Sequence, residues 1–549
     1  MEMKTLSKME KKTIKNTSSD FLKLGLAFAF MAITMWWSYT THGDVNNSLF
    51  LGIGALFGAY MAMNIGANDV ANNVGPAVGA GAMGMGMAIV IAALFESSGA
   101  LIAGGDVVGT IKKGIIDPAL FANTDQFIWA MTAALLAGAI WLNLATAMGA
   151  PVSTTHSIVG GVMGGGIAAA GTFSIVAWDK MGAIASSWVI SPVLGGVIAA
   201  GFLYIIKRSI VYKEDKIEAS KKVVPILVGL MAWAFGTYLV IKGLKKVWPN
   251  IVSFINDTFF AILPVTKKPT IGAALVIGLI LAFIVYIIVK KSVERSASKM
   301  KNDRESVNRL FTIPLIFAAA LLSFAHGAND VANAVGPLAA IADAVTSGGI
   351  SSKASIPLWV MLIGAVGISL GLALYGPKLI KTVGGEITEL DQLRAFSIAM
   401  AAAITVIIAS QLGLPVSTTH IAIGGIFGVG FLREYLSDTK EEEKLRHEKE
   451  EIKKDKELLK TLKSKLTNLE KIENKEMNQY EQIVELYKQI DKEEQELENE
   501  KRVVKQLEKV QYVKRDAVKK IVAAWVITVP SAAILSAAIF YMIRGIVAS

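Results

Sequence analysis

An eleven-residue stretch, Gly66-Ala-Asn-Asp-Val-Ala-Asn-Asn-Val-Gly-Pro76, returns as Gly327-Ala-Asn-Asp-Val-Ala-Asn-Ala-Val-Gly-Pro337, with Ala334 replacing Asn73. Both copies lie in apolar surroundings. There, Asp69 and Asp330 are each costly unless paired, hydrated or bound to a cation. On a helix, Asn68 or Asp69 lies three or four residues from Asn72 and so shares a side with it. Asn329, Asp330 and Asn333 repeat that spacing. The glycines and the proline ease unwinding and admit a second backbone. Polar glue between membrane helices would explain one copy. Two near-identical copies point instead to a duplicated binding site.

The chain is 53% hydrophobic and 18% charged, and several segments of about 20 apolar residues are long enough to span a bilayer as helices. Short alternating strands are absent, which argues against a barrel. The lack of cysteine excludes disulfides and thiolate metal sites. The +10 net charge gathers in loops at the ends of apolar segments, a pattern of membrane orientation rather than nucleic-acid binding. The expected class is an all-α polytopic membrane protein with about 12–13 membrane segments.

A second signature, Gly149-Ala-Pro-Val-Ser-Thr-Thr-His-Ser157, also recurs, as Gly413-Leu-Pro-Val-Ser-Thr-Thr-His420. Proline followed by hydroxyl residues begins a helix, because the ring presets φ and the hydroxyls cap free N–H groups. Gly-rich runs suited to tight helix packing follow each copy, Gly160 to Gly171 and Gly424 to Gly430. Asp69 precedes His156 by 87 residues, and Asp330 precedes His420 by 90. Trp188-Val-Ile-Ser-Pro192 resembles Trp525-Val-Ile-Thr-Val-Pro530, and Thr110 aligns with Thr382. Internal repeats with interrupted helices at matching positions mark secondary transporters, with the site at the repeat interface.

The organisation that follows has six parts. Residues 1–47 hold a polar N-terminus and an extra membrane helix from about Leu22 to Tyr39. Residues 48–206 form the first half, 207–310 two connecting spans with basic loops, and 311–433 the second half. Residues 434–516 form an insertion, and 517–549 the final helix. His156 to Trp188 is 32 residues but His420 to Trp525 is 105, so the second half carries 105 − 32 = 73 extra residues. The inserted stretch is Glu/Lys-rich and has Leu445, Ile452, Leu459, Leu466 and then Ile483, Ile490, Leu497 every seventh position, a coiled-coil pattern. An antiparallel hairpin with its tip near Asn474 to Asn478 returns the chain to the same membrane face, each arm ~50 Å long. One long helix with a returning loop is the alternative.

Together the two pairs of motifs resemble the signature of the inorganic phosphate transporter (PiT) family, over nearly all of 48–432 and 517–545. The resemblance implies two inverted repeats with discontinuous helices or re-entrant hairpins. It also implies symport of phosphate with sodium or protons through alternating access. Some relatives of this kind carry sulfate. The residues suit that chemistry. Ser153, Thr154, Thr155 and Ser417, Thr418, Thr419 supply hydroxyl donors at two helix N-termini, where the free N–H groups and the dipole favour an anion; Asn68 and Asn329 are added as substrate ligands. Asp69, Asp330, Asn72, Asn333 and Glu96 are candidates for the coupling ion, and sodium, a hard ion, would take oxygen from Asp69, Asp330, Asn68 and Asn329. Glu96 aligns with Ile368 in the second half, and a helix-packing role is open to it. His156 and His420 are open to packing or to proton relay.

No resident cofactor, nucleic-acid partner or catalytic residue is expected; sodium or protons are co-transported, and a homo-oligomer is compatible with the pattern. No P-loop appears, which argues against ATP-driven transport by this chain alone. An anion channel would need a continuous polar pore, and a receptor would not need duplicated Asp and Ser/Thr sites. Basic segments at 4–23, 207–222 and 290–309 predict a multi-pass cell-membrane protein with its N-terminus and insertion in the cytoplasm and a short external C-terminus.

Overall fold

The computed structural model describes residues 2–148, 152–245, 247–258, 266–350, 356–386, 390–471, 476–508 and 515–548. Among them it is all-helical: no strand forms, and the single extended pairing is one antiparallel bridge between Ile116 and Val176. Eleven helices among the described residues are long and apolar enough to cross a membrane. The expectation of 12–13 segments exceeds this figure, and further apolar helix lies at the second signature. The helix that begins there in the first half, Thr154–Ala170, has 17 residues, the lower limit for a span. Its counterpart, Thr418–Glu470, runs from apolar into charged sequence.

The expected extra N-terminal helix is present in Asp20–Thr41, and the two connecting spans in Lys216–Gly243 and Ile271–Ala297. Helix starts follow local side-chain chemistry. Asn123, Asp215, Thr270, Asp303 and Asp391 each accept a hydrogen bond from a backbone N–H of the first turn, satisfying a donor that the helix cannot.

Two compact units emerge, one of Met1–Val429 with Arg515–Ser549 and one of Gly430–Lys514. In the first unit the matching helices of the two halves grip each other. A Cβ on Gly66 would lie 1.8 Å from the Ile368 carbonyl oxygen, and one on Gly371 would lie 2.0 Å from that of Met63. The equivalent contacts with the halves exchanged are Gly327 against the Glu96 carbonyl at 2.1 Å and Gly99 against that of Phe324 at 2.0 Å. The second signature repeats the pattern. A Cβ on Gly164 would lie 2.0 Å from the carbonyl oxygen of Ala533 in the final helix, and one on Gly428 would lie 2.0 Å from that of Gly196. Only glycine permits backbones this close, so these residues fix the seam on which the site sits.

In the second unit, Leu459, Leu462 and Leu466 of one arm and Ile490 and Leu497 of the other, Met477–Glu508, form one buried apolar cluster. Lys463 pairs with Glu494 at 2.6 Å and the Tyr487 phenol donates to Glu470 at 2.7 Å, so the arms run in opposite directions. That bond to the Glu470 carboxylate pushes the Tyr487 phenol up from its ordinary pKa. Residues 472–475, most of the expected tip, and the Leu445 side chain lie outside the described residues, as do the Thr382 and Trp525 side chains.

Candidate functional site

The first Asn-Asp motif ends one helix and begins another. Ser48–Asn68 stops at Asp69, and Val70–Gly79 resumes at once. The second motif differs: Thr312–Ser347 passes through Asn329 and Asp330 as one continuous helix, Pro337 included. The break at the first copy is one residue wide: Asp69 keeps right-handed helical angles, φ −86° and ψ −33°, and donates its N–H to the Ile65 carbonyl at 2.9 Å, so the unwinding expected from the Gly and Pro content is found at neither copy. The substantial interruption lies at the second signature, where Gln392–Gln411 ends and Thr418–Glu470 begins.

Non-helical backbone at membrane depth must have its polar groups satisfied, and side chains from both halves do this between Gly413 and Val416. The Gly413 carbonyl accepts from Thr110 Oγ1 at 2.7 Å and the Leu414 carbonyl from Asn329 Nδ2 at 3.1 Å. The Pro415 carbonyl accepts from Trp188 Nε1 at 3.1 Å and the Val416 carbonyl from Thr155 Oγ1 at 2.9 Å. Val416 N donates to Asn329 Oδ1 at 3.2 Å. Asn329 thus clamps this loop with both ends of its amide. Residues 149–151, the corresponding stretch of the first half, lie outside the described residues.

The four motifs meet in one buried cluster. Thr154 donates to Asp69 Oδ2 at 2.6 Å, and Thr418 donates to Asp330 Oδ2 at 2.9 Å. Carboxamides then cross between the halves. Asn72 Nδ2 donates to Thr419 Oγ1 at 2.9 Å, and Asn333 Nδ2 reaches Thr154 and Thr155 at 3.2 and 3.1 Å. Thr419 closes the set by donating to Asp69 Oδ1 at 3.2 Å. Ser153 and Ser417 cap their helices, accepting from His156 N at 3.2 Å and His420 N at 3.3 Å. Their hydroxyl oxygens are engaged while each keeps a hydrogen to donate. His156 packs between Trp188 and His420, with ring centroids 3.9 and 4.6 Å apart.

Several polar atoms of the cluster are buried without a hydrogen bond: Asn68 Nδ2, Asp330 Oδ1 and Asn333 Oδ1. Buried groups of this kind are uncommon and ask for a partner. One ligating atom from each of Asp69, His326 and Asp330 lies within 4.8 Å of the others.

Glu96 joins this cluster through residues that the motif reading passed over. Asn73 Nδ2 donates to Glu96 Oε1 at 2.7 Å, and His326 Nδ1 lies 2.7 Å from Glu96 Oε2. His326 Nε2 approaches Asp330 Oδ2 at 2.9 Å, off the hydrogen-bond direction. All of these side chains are buried. Asn73, Glu96 and His326 stand where the other half has Ala334, Ile368 and Ile65. The places where the repeat departs from itself therefore converge on one point. That convergence is the signal that could have found them.

Residues 65–536 match the model of the phosphate transporter family. The chain belongs to the phosphate transporter family. A Helicobacter pylori (strain J99) protein named provisionally as a phosphate permease is 47% identical over 557 residues, covering 98% of both chains. A Pyrococcus abyssi protein of the same provisional name is 38% identical over 378 residues, 69% of this chain and 88% of its own. A solved structure titled "The sodium-dependent phosphate transporter" superposes with a TM-score of 0.69 at 30% identity, covering 90% of this chain and 99% of that one. The family carries phosphate and is not a family of enzymes. The Helicobacter match runs the length of the chain and so takes in the helical arms, whereas the Pyrococcus match leaves out about a third of it.

Proposed function

We propose that this chain imports inorganic phosphate by symport with sodium, through alternating access of two inverted halves. The observation that carries the reading is the interlocked cluster: two carboxylates, each held by a hydroxyl of its own half and cross-braced by carboxamides of both. Sodium is a hard cation that takes oxygen ligands. Asp69 and Asp330, with the unpaired oxygens Asp330 Oδ1 and Asn333 Oδ1, supply them.

Coupling then follows from hydrogen-bond bookkeeping. The Thr154 and Thr418 hydrogens are directed at Asp69 and Asp330. A cation that neutralises the carboxylates releases those hydrogens to turn toward an anion. Ser153 and Ser417, at the two helix N-termini, add donors in a field that favours negative charge. Phosphate affinity thus depends on bound cation, and no lysine or arginine inside the motifs is needed. Glu96, through His326, holds Asp330 in place.

The test is phosphate uptake into proteoliposomes with sodium and pH gradients imposed separately. Uptake driven by an inward sodium gradient at equal pH is expected, with little competition from sulfate. Uptake that follows the proton gradient alone would overturn sodium coupling. Uptake that needs neither gradient would favour a channel.

A further inference from the structure

Away from the motif cluster, a groove of about 560 Å³ runs between the connecting spans Lys216–Gly243 and Ile271–Ala297 and the start of Thr312–Ser347. Its walls are apolar, with Met231, Phe235, Val285 and Phe317 among them. Its polar groups, Ser292, Ser296 and Arg309, gather at one end. Leu281 marks the deep end, and the eleven residues from it to Ser292 rise about 16 Å along the helix. That matches half of a hydrocarbon core about 30 Å thick. A spanning protein surrounded by water-soluble partners alone would have no use for a slot of this depth, apolar along its length and cationic at the rim.

The rim lies in a basic stretch of the membrane unit. Residues 290–309 contain Lys290, Lys291, Arg295, Lys299, Lys301, Arg304 and Arg309 against Glu294, Asp303 and Glu305. Arg309 pairs with Glu305 at 2.7 Å, but both side chains are mostly exposed. Such surface pairs are weak, so the guanidinium fork is available to a phosphate, whose geometry it fits with two parallel bonds. Ser292 and Ser296 add hydroxyls beside it.

From this we infer that the groove is a binding site for one anionic phospholipid, with an acyl chain along Val285 and Phe235 and the headgroup phosphate at Arg309. The occupant would touch the machinery indirectly. Phe95, next to Glu96, and Leu321, on the helix of Asp330, both line the groove. The lipid would therefore steady the helix that carries half of the motif cluster. The inference stands on the groove alone and does not require the transport reading.

The probe is a phosphatidylglycerol carrying a photoreactive group in its acyl chain, added to purified protein in detergent. Mass spectrometry should map the label to Val285, Phe317 and their neighbours. Unlabelled phosphatidylglycerol should compete better than phosphatidylcholine by roughly fivefold, the value of one basic side chain at an anionic surface. Arg309→Gln should erase that preference while keeping the label, and Val285→Trp, which fills the slot, should remove the label from the groove. Equal competition by phosphatidylcholine would overturn the headgroup assignment. Labelling unchanged in Val285→Trp would overturn the groove itself. Because the chain has no cysteine, Ile288→Cys supplies a single thiol on the groove wall. Efficient disulfide dimers of that variant in membranes would show a second copy as the occupant and sink the lipid proposal.

Discussion

Asp69 and Asp330 differ in how completely they are held, and the difference sets what their replacement should do. Asp69 accepts from two threonines, one of each half, whereas Asp330 has one threonine, the His326 ring and an oxygen left over. An amide at either position keeps the shape but cannot neutralise a cation. Asp69→Asn and Asp330→Asn should each abolish sodium-driven uptake while leaving the purified protein with a near wild-type melting temperature. Wild-type uptake by either variant would remove that carboxylate from the coupling site. The serines separate two roles. Loss of a cap costs about 1 kcal/mol of stability, and loss of a buried donor to phosphate costs ~1–3 kcal/mol of binding. Ser153→Ala and Ser417→Ala should weaken phosphate binding beyond any shift in melting. A change in melting with unaltered phosphate affinity would leave these residues as caps only.

At the scale of helices, close backbone contacts and a buried lysine–aspartate pair hold the elements together. Gly99→Ala would put a methyl group 2.0 Å from the Phe324 carbonyl oxygen and force apart the helices that carry Glu96 and Asp330. A cost of ~1–3 kcal/mol is expected from such overpacking. Gly201→Ala is the control, since nothing lies within 4 Å of its added Cβ. Equal melting temperatures for the two variants would contradict the packing of that seam. Lys112, on Gly105–Lys113, pairs with Asp343 near the end of Thr312–Ser347 at 2.9 Å, and their side chains are only 4% and 7% exposed. Lys112→Met removes the direct partner of a buried carboxylate, at about 3–5 kcal/mol as an upper figure because Lys113 lies close by. The double variant Lys112→Met with Asp343→Leu should recover most of the loss in a thermal melt. Failure to recover would mean that the pair is not what joins those helices.

For the whole molecule, the prediction is that the helical arms occupy the cytoplasmic side of the membrane. Residues 207–222 and 290–309 are basic and are separated by two spans, so they share a side that the positive-inside rule makes cytoplasmic. Inversion of the second half would then put residues 434–516 on the same side. A cysteine replacing Asn478 in this cysteine-free chain should resist a membrane-impermeant maleimide in intact cells and react after permeabilisation. Reaction in intact cells would reverse the orientation. The arms themselves fold as a unit with its own apolar cluster, so their removal should leave the membrane unit able to assemble.

Sequence alone determined the membrane class and the duplication, and it singled out the Asp, Asn, Ser and Thr positions proposed for the site. Those conclusions rest on residue type and spacing, which are local: a carboxylate in an apolar run needs a reason wherever the run folds. The heptads likewise called for paired helices, because a stripe repeating every seventh residue must find a partner, but the choice between two arms and one long helix with a returning loop fell to the packing of Leu459 and Leu466 with Ile490 and Leu497. Tertiary structure alone decided how the halves interlock. Asn72 reaches Thr419, and Asn333 reaches Thr154 and Thr155, because glycines such as Gly66 and Gly99 bring helices of opposite halves into backbone contact. It also decided that the second Asn-Asp motif stays within one continuous helix, with Thr418 and the His326 ring set against one oxygen of Asp330. His326 and Asn73 were written in the chain but silent there, because each gains meaning from Glu96, a residue on a different helix. Contacts between distant segments depend on packing, and packing is a property of the folded chain rather than of any stretch of it.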